Sequence, residues 1–194
     1  MSTDTTSPEF FEGKYRENAD PWDFATSDYE RARYDAILHA LDERKYVRAF
    51  EPGCSVGELT ARLAGICGRV EAIDFSPSAV AIARERCRKL SNVYVTCESV
   101  AEARIQGGFD LIVLSEIGYY FEPKELERIS ARFLRHLVPT GVMLASHWLG
   151  ESHDHLLSGD AVHDSLRLVA AQAGLVLVHS ERHAEFRLDR WEKP

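Results

Sequence analysis

Two stretches of this 194-residue chain carry residue types at spacings that suit chemistry. The first is Glu51-Pro52-Gly53-Cys54-Ser55-Val56-Gly57, with Asp74 following 23 residues after Glu51. Glycines at 53 and 57 let a backbone turn sharply from a strand into a helix and approach a ligand closely. An acidic residue at the end of the next strand, where Asp74 falls, can accept both hydroxyls of a ribose. A plain strand-to-helix turn explains the glycines alone; it explains Glu51 and Asp74 less well. A dinucleotide site wants Gly-x-Gly-x-x-Gly with a glycine facing the pyrophosphate, whereas here Ser55 stands at the second glycine and Glu51 lies just ahead of the loop. These features count against a nicotinamide-dependent oxidoreductase. They suit a cationic, phosphate-free nucleoside such as S-adenosylmethionine, with Cys54, Ser55 and Phe75 flanking it. Cys97-Glu98-Ser99 follows the third expected strand, where an adenine edge would lie. Glu98 or Ser99 can read its exocyclic amine, and turn chemistry is the competing explanation.

The second stretch is Ser115-Glu116-Ile117-Gly118-Tyr119-Tyr120, joined at a distance by His147-Trp148. Both follow strands, and ligands in open α/β sheets lie beyond the carboxyl ends of strands. Methyl transfer is an in-line displacement at carbon, so the protein must hold an unprotonated nucleophile in near-attack geometry. Were the acceptor an amine, mostly protonated at neutral pH, a carboxylate or imidazole would have to take the proton. Glu116 is the first candidate base and His147 the second; a hydrogen bond that merely anchors the loop is the competing role for Glu116. Tyr119, Tyr120 and Trp148 offer faces to a cation or a sugar ring, against the commoner role of core packing. His155 is a substrate-loop candidate. The spacing of His153, His155 and His163 specifies no metal site.

The elements that must position these residues alternate. Apolar runs at 48–53, 70–75, 92–97, 109–115 and 141–147 read as strands, and helical patterns at 57–65, 77–90 and 123–137 lie between them. Ser76-Pro77 and Pro123 mark helix starts. After a polar loop, a helix near 160–173 ends at Gly174, and strands near 175–182 and 184–191 must pair as an antiparallel hairpin. The expectation is an α/β, three-layer Rossmann-like fold: a mostly parallel sheet of about seven strands closed by a C-terminal antiparallel hairpin. Residues 1–47 read as an aromatic-rich lid with a helix near 28–42, and residues 48–194 as the core of a single domain.

A chain of this length and 45% hydrophobic content buries a full core. Its net charge of −8 argues against nucleic acid as a partner. No apolar run is long enough to span a bilayer, and the first residues lack the pattern of a signal peptide, so cytoplasmic placement is expected, with no membrane partner. Cys54, Cys67, Cys87 and Cys97 form no CxxC pair and read as reduced thiols, with no metal. A monomer or weak dimer acting on a small-molecule or oligosaccharide acceptor fits these properties.

The chain resembles the class I S-adenosylmethionine-dependent methyltransferases and, more narrowly, the nodulation protein S (NodS) family. The resemblance lies in PWDF-x3-DYE-x2-RY at 21–34, EPGCSVGELTARLA at 51–64, FDLIVLSEIGYY at 109–120, HW at 147–148 and GDAVHDSL at 159–166. It covers nearly the whole chain, and the serine in GCSVG looks like a NodS feature. NodS proteins methylate the free amine of a de-N-acetylated chitooligosaccharide. The resemblance implies that Gly53 and Gly57 line the methionine portion of the cofactor, that Asp74 holds its ribose, and that Trp22, Tyr29 and Arg33 close over it. Arg33 can meet a carboxylate there; lid packing for Trp22 and a solvated helix face for Arg33 are the competing readings. Ser115, at the end of the fourth strand, is counted with the cofactor residues.

Overall fold

The computed structural model describes residues 7–42 and 44–194. Seven strands are hydrogen-bonded in the order β3-β2-β1-β4-β5-β7-β6, where β1 is Ala49–Pro52, β2 Val70–Asp74, β3 Val93–Cys97, β4 Phe109–Ser115, β5 Leu137–Trp148, β6 Val176–Arg182 and β7 Phe186–Glu192. The pairs β2–β3, β1–β4 and β4–β5 are parallel, and β5–β7 and β6–β7 are antiparallel, so the mostly parallel sheet with a C-terminal hairpin is the fold observed. The chain divides into two compact units. In this division the aromatic N-terminal segment goes with Glu51–Ala103, and Val47–Phe50 goes with Arg104–Pro194.

In the first unit β2 and β3 run in register from Val70 opposite Val93 to Asp74 opposite Cys97. Helices α3 (Glu58–Leu63) and α4 (Pro77–Cys87) pack on these strands, α1 (Pro8–Glu17) packs on α4 and α2 (Asp28–Ala40) on α3. The start of α4 is the one its sequence announces: Ser76 Oγ accepts the Ala79 N–H at 3.1 Å, and Pro77 fills the first turn, where no N–H is needed. Helix α1 was not expected. Its cap has the same chemistry, Ser7 before Pro8 with Ser7 Oγ accepting the Phe10 N–H at 3.2 Å. Phe11 and Tyr15, one turn apart, are its buried face.

In the second unit every residue of β4 but Asp110 is buried, as befits a strand covered on both faces. Asp110 accepts the N–H groups of Val47 (2.7 Å) and Arg48 (2.8 Å). Strand β5 begins at Leu137, earlier than its apolar run; Thr140 (φ 61°) and a shift of register opposite Phe109–Leu111 carry it through the polar Pro139-Thr140-Gly141. Helix α5 (Pro123–Leu134) opens on its proline. Helix α6 (Gly159–Gln172) ends as Gly174 predicts: that glycine is left-handed (φ 79°), its N–H meets the Ala171 carbonyl at 3.0 Å, and the Leu175 N–H meets that of Ala170 at 2.9 Å. The hairpin joins β6 to β7 through residues 183–185, and β7 inserts next to β5.

Candidate functional site

The loop after β1 is built from left-handed backbone. Gly53 (φ 75°), Ser55 (φ 49°) and Gly57 (φ 77°) alternate with ordinary residues, which turns the chain back on itself. The Gly53 and Cys54 N–H groups share the Ile73 carbonyl at 2.8 and 2.9 Å, stitching the loop to β2. A side chain at Gly57 would sit 2.9 Å from Ala83 Cβ, so this glycine also lets α3 approach α4. Cys54 is buried, and burial pushes its thiol well up; it is a packing residue here.

Two carboxyl groups frame the loop. Glu51 is buried and accepts the Thr60 hydroxyl. Burial pushes its carboxyl up to about 8, with Thr60 opposing, the charge of Asp74 adding and Arg33 subtracting. Asp74 accepts the N–H groups of Ser55 and Ser76, each at 2.9 Å; burial raises it and these bonds oppose the rise. A carboxylate has about four acceptor positions, so this geometry can also take hydroxyl donors. Two carboxyl groups beside the loop, with no cation among the loop residues, do not fit a diphosphate.

The N-terminal segment of this unit packs onto the same loop. Tyr15 OH donates to Ser55 Oγ at 2.6 Å, and Tyr15 meets Trp22 edge-on at 5.4 Å. Phe11 meets Phe75 at 5.9 Å, and Trp22 and Phe24 pack on Tyr15, Val56 and Ala79. Glu12 takes the hydroxyls of Ser76 (2.6 Å) and Ser78 (2.7 Å) and the Ser78 N–H (3.3 Å) at the start of α4. These bonds, Ser76's foremost, hold its carboxyl down to about 2. Glu12 and Tyr15 were not singled out from the sequence; the unrecognised helix α1 is what places them. Arg33 is not on a solvated face: it is buried in α2, ion-paired to Glu30. Tyr29, on the same helix, is half-buried. The Glu98 N–H meets the Asp74 carbonyl at 2.9 Å, placing Glu98 and Ser99 at the end of β3. Beside them Cys97 is exposed, its thiol directed at the Phe75 carbonyl at 3.4 Å.

In the second unit Glu116 leaves β4 in the left-handed region (φ 58°). Its N–H meets the Ser146 carbonyl at 3.0 Å; one carboxylate oxygen accepts the Trp148 N–H at 2.8 Å and the other the Tyr119 hydroxyl. Ser115 is buried opposite Ser146. Tyr119 lies flat against His155 at 3.8 Å and meets Tyr120 edge-on at 4.9 Å; Trp148 meets His155 at 6.1 Å. The cluster is acidic: the Tyr120 hydroxyl is held far above its ordinary range by burial and then by the charges of Asp154 and Glu116. Burial holds His155 below its ordinary value, hence neutral near pH 7.

His147, the second candidate base, lies inside the protein. It is wholly buried, its Nε2 accepts the Gly118 N–H at 3.1 Å, and its Nδ1 lies 3.2 Å from His163 Nε2. Both ring nitrogens are engaged inside the protein. His163 in turn places Nδ1 2.7 Å from Asp189, a pairing that no local spacing announces. Among the described residues no group of histidine, cysteine and carboxylate side chains can hold a metal ion.

Comparison with known proteins follows the same lines. Nodulation protein S of Sinorhizobium fredii (strain NGR234) is 33% identical over 127 residues, which are 64% of this chain and 59% of that protein. Nodulation protein S of Rhizobium tropici is 32% identical over 124 residues, 63% of this chain and 52% of the relative. The chain thus spans half to three-fifths of the length of the curated relatives it matches. The crystal structure of N-methyltransferase NodS from Bradyrhizobium japonicum WM9, in complex with S-adenosylhomocysteine, has the same fold, with a TM-score of 0.81 over 95% of this chain and 97% of that one at 22% identity. The family model for nodulation protein S matches residues 11–164, from the buried face of α1 through the glycine loop and the Glu116 turn into α6, and the chain belongs to the nodulation protein S (NodS) family.

Proposed function

We propose that the chain is an S-adenosylmethionine-dependent N-methyltransferase whose acceptor is the amine of an aminosugar, a de-N-acetylated chitooligosaccharide being the case its family suggests. The observation that carries the cofactor half is the left-handed loop at 53–57 framed by the buried carboxyls of Glu51 and Asp74. Bound S-adenosylmethionine supplies an electrophilic methyl group on a sulfonium. On this reading the close-approaching backbone of the loop and Glu51 meet the methionine end, Asp74 takes the ribose hydroxyls, and Tyr15, Trp22 and Phe75 exclude water beside it. Glu98 and Ser99 face the adenine.

The acceptor half rests on the Glu116 turn. Glu116 is fixed by the Trp148 N–H and the Tyr119 hydroxyl, so its carboxylate has one orientation in which to bind an ammonium and take its proton. Tyr119, Tyr120, Trp148 and His155 form an aromatic cluster, Tyr119 stacked on His155 and the other pairs edge-on, of the sort that cations and sugar rings use. The charge of −8 is consistent with a cationic acceptor.

Isothermal titration with S-adenosylhomocysteine and with NAD tests the cofactor, and preferential binding of NAD overturns the reading. Turnover of labelled S-adenosylmethionine on a panel of free aminosugars and their N-acetylated forms tests the acceptor. Methylation confined to the free amines is expected; transfer to the N-acetylated forms at equal rate rejects an amine acceptor. Glu116→Gln is expected to lower turnover about 100-fold, the scale of a lost general base, with S-adenosylhomocysteine affinity unchanged.

A further inference from the structure

A run of four buried groups in the second unit, Gly118, His147, His163 and Asp189, has one hydrogen-bond direction. It begins at the Gly118 N–H, which can only donate, so His147 Nε2 carries no hydrogen. Neutral His147 then carries its hydrogen on Nδ1 and donates it to His163 Nε2. His163 must therefore carry its own hydrogen on Nδ1 and donate it to Asp189 Oδ2. Asp189 ends the run as a carboxylate, held at that oxygen by Arg187 Nε at 3.0 Å and at the other by the Ser180 hydroxyl. His147, His163 and Asp189 are all wholly buried. A backbone donor at one end and a carboxylate at the other leave one consistent set of tautomers.

The near end of this run grips the turn that carries Glu116, Tyr119 and Tyr120. Gly118 is there because nothing larger fits: an added Cβ would lie 2.4 Å from Val162 Cγ1 and 2.9 Å from His147 Nε2. The absence of a side chain is what lets the amide reach the imidazole. His147 also meets the ring of Tyr119 edge-on at 5.5 Å. We propose that Asp189, His163 and His147 form a positioning relay that sets the 116–120 turn through the Gly118 amide. His147 is then a positioning residue for the acceptor turn, and the inference rests on the reading above that this turn meets the acceptor.

The relay holds only while both imidazoles are neutral. A second hydrogen on His163 would face the Nδ1–H of His147, and a flip of His147 would set its Nε2–H against the Gly118 N–H. The groups facing His163 are Asp189 and Arg187 from β7, Asp160 on its own helix, and His147 from β5; Ser180 from β6 faces Asp189. Burial, aided by Arg187, holds His163 below its ordinary value of 6.5, while Asp189 and Asp160 oppose. A lowered value means that the protonated form disfavours the fold, so the grip on the turn is present above pH 6.5 and is lost as the pH falls through the lower native value.

Long-range 1H–15N correlation spectra of the uniformly labelled chain read the tautomers directly and need no acceptor. Nδ1–H forms are expected for both histidines at pH 7.5; Nε2–H at either one overturns the proposal. His163→Gln keeps an acceptor toward His147 and a donor toward Asp189 but cannot titrate. It is expected to keep kcat within about threefold of wild type and to lose the part of the acid limb of kcat that His163 causes. His163→Leu is expected to lower kcat about tenfold or more, the scale of a misplaced turn, and to move the Gly118 amide resonance, with the Kd for S-adenosylhomocysteine within about twofold. An unmoved amide and an unchanged kcat overturn the relay, as does an acid limb unaltered in His163→Gln. Should His163→Leu fail to fold, the wild-type tautomers and His163→Gln decide. Should the wild type methylate no acceptor, the functional reading fails while the spectra still decide the relay.

Discussion

Ser55 sits in the left-handed region, which costs a residue with a side chain about 1–2 kcal/mol and a glycine nothing. What it gains is the Tyr15 hydroxyl, a bond of about 1 kcal/mol in net terms. Ser55→Gly therefore relieves strain while removing a bond, and in the wild type the two offset. In a Tyr15→Phe background only the relief remains. A double-mutant cycle by urea unfolding is expected to give a coupling of about 1 kcal/mol, and additivity within about 0.3 kcal/mol would show that the bond contributes nothing. Glu51 makes a second expectation at this scale. Its carboxyl is raised from 4.5 to about 8 in the fold, so the native state favours the proton. Its contribution to stability is then full below pH 4.5 and lost as the pH rises through about 8. Thermal melts from pH 5 to 9 should show Glu51→Gln gaining on the wild type with rising pH; parallel curves would mean that burial does not hold the proton. The left-handed glycine loop was legible in the sequence because Gly53 and Gly57 lie in one short run after β1, and Asp74 was placed at the end of β2 by its strand pattern. The pairing of His147 with His163, and of His163 with Asp189, was not legible, because these residues come from β5, α6 and β7 and only the folded chain brings them together.

Among the elements, those with chemical punctuation were legible. Ser76-Pro77, Pro123 and Gly174 each mark a boundary by a local backbone requirement, and the structure places boundaries there. Helix α1 escaped because its ten residues carry five charges and two Phe side by side, so its apolar stripe of Phe11 and Tyr15 is short. That stripe is completed by packing with Phe75, Trp22 and Val56, contacts between segments far apart in the chain. The polar anchor of α1 is Glu12 on the start of α4, where the first N–H groups of a helix favour a carboxylate. Because Glu12 is lowered from 4.5 to about 2, the anchorage is complete above pH 4.5 and lost as the pH falls through about 2. Hydrogen exchange of the α1 amides, measured between pH 5 and 2, is expected to show that helix losing protection ahead of β4. In Glu12→Gln the same helix should be less protected at pH 5 and insensitive to acid, and a wild-type-like acid profile in that variant would assign the loss elsewhere.

For the whole molecule, the expected strand count, the parallel core and the antiparallel closing hairpin match the structure. The division of the chain was not legible, since it falls within the four-residue strand β1: Ala49 and Phe50 go with one unit, Glu51 and Pro52 with the other. Ligand linkage supplies a test at this scale. A ligand at about 100 times its Kd stabilises by about 2.7 kcal/mol, which for a chain of this size raises Tm by roughly 5–10 °C. S-adenosylhomocysteine is expected to give such a shift and NAD none; equal shifts would argue against a selective nucleoside site. The cysteines offer a last consequence. Cys54, Cys67 and Cys87 are sealed in the interior and Cys97 alone is open, at the end of the strand beside Glu98 and Ser99. A maleimide dye therefore attaches to the folded protein at a single address, slowly near neutral pH because burial and then Asp74 hold that thiol above its ordinary value. If the adenine lies at Glu98 and Ser99 as proposed, one dye per molecule at that spot is expected to change its emission when S-adenosylhomocysteine is added, and this needs no change to the sequence.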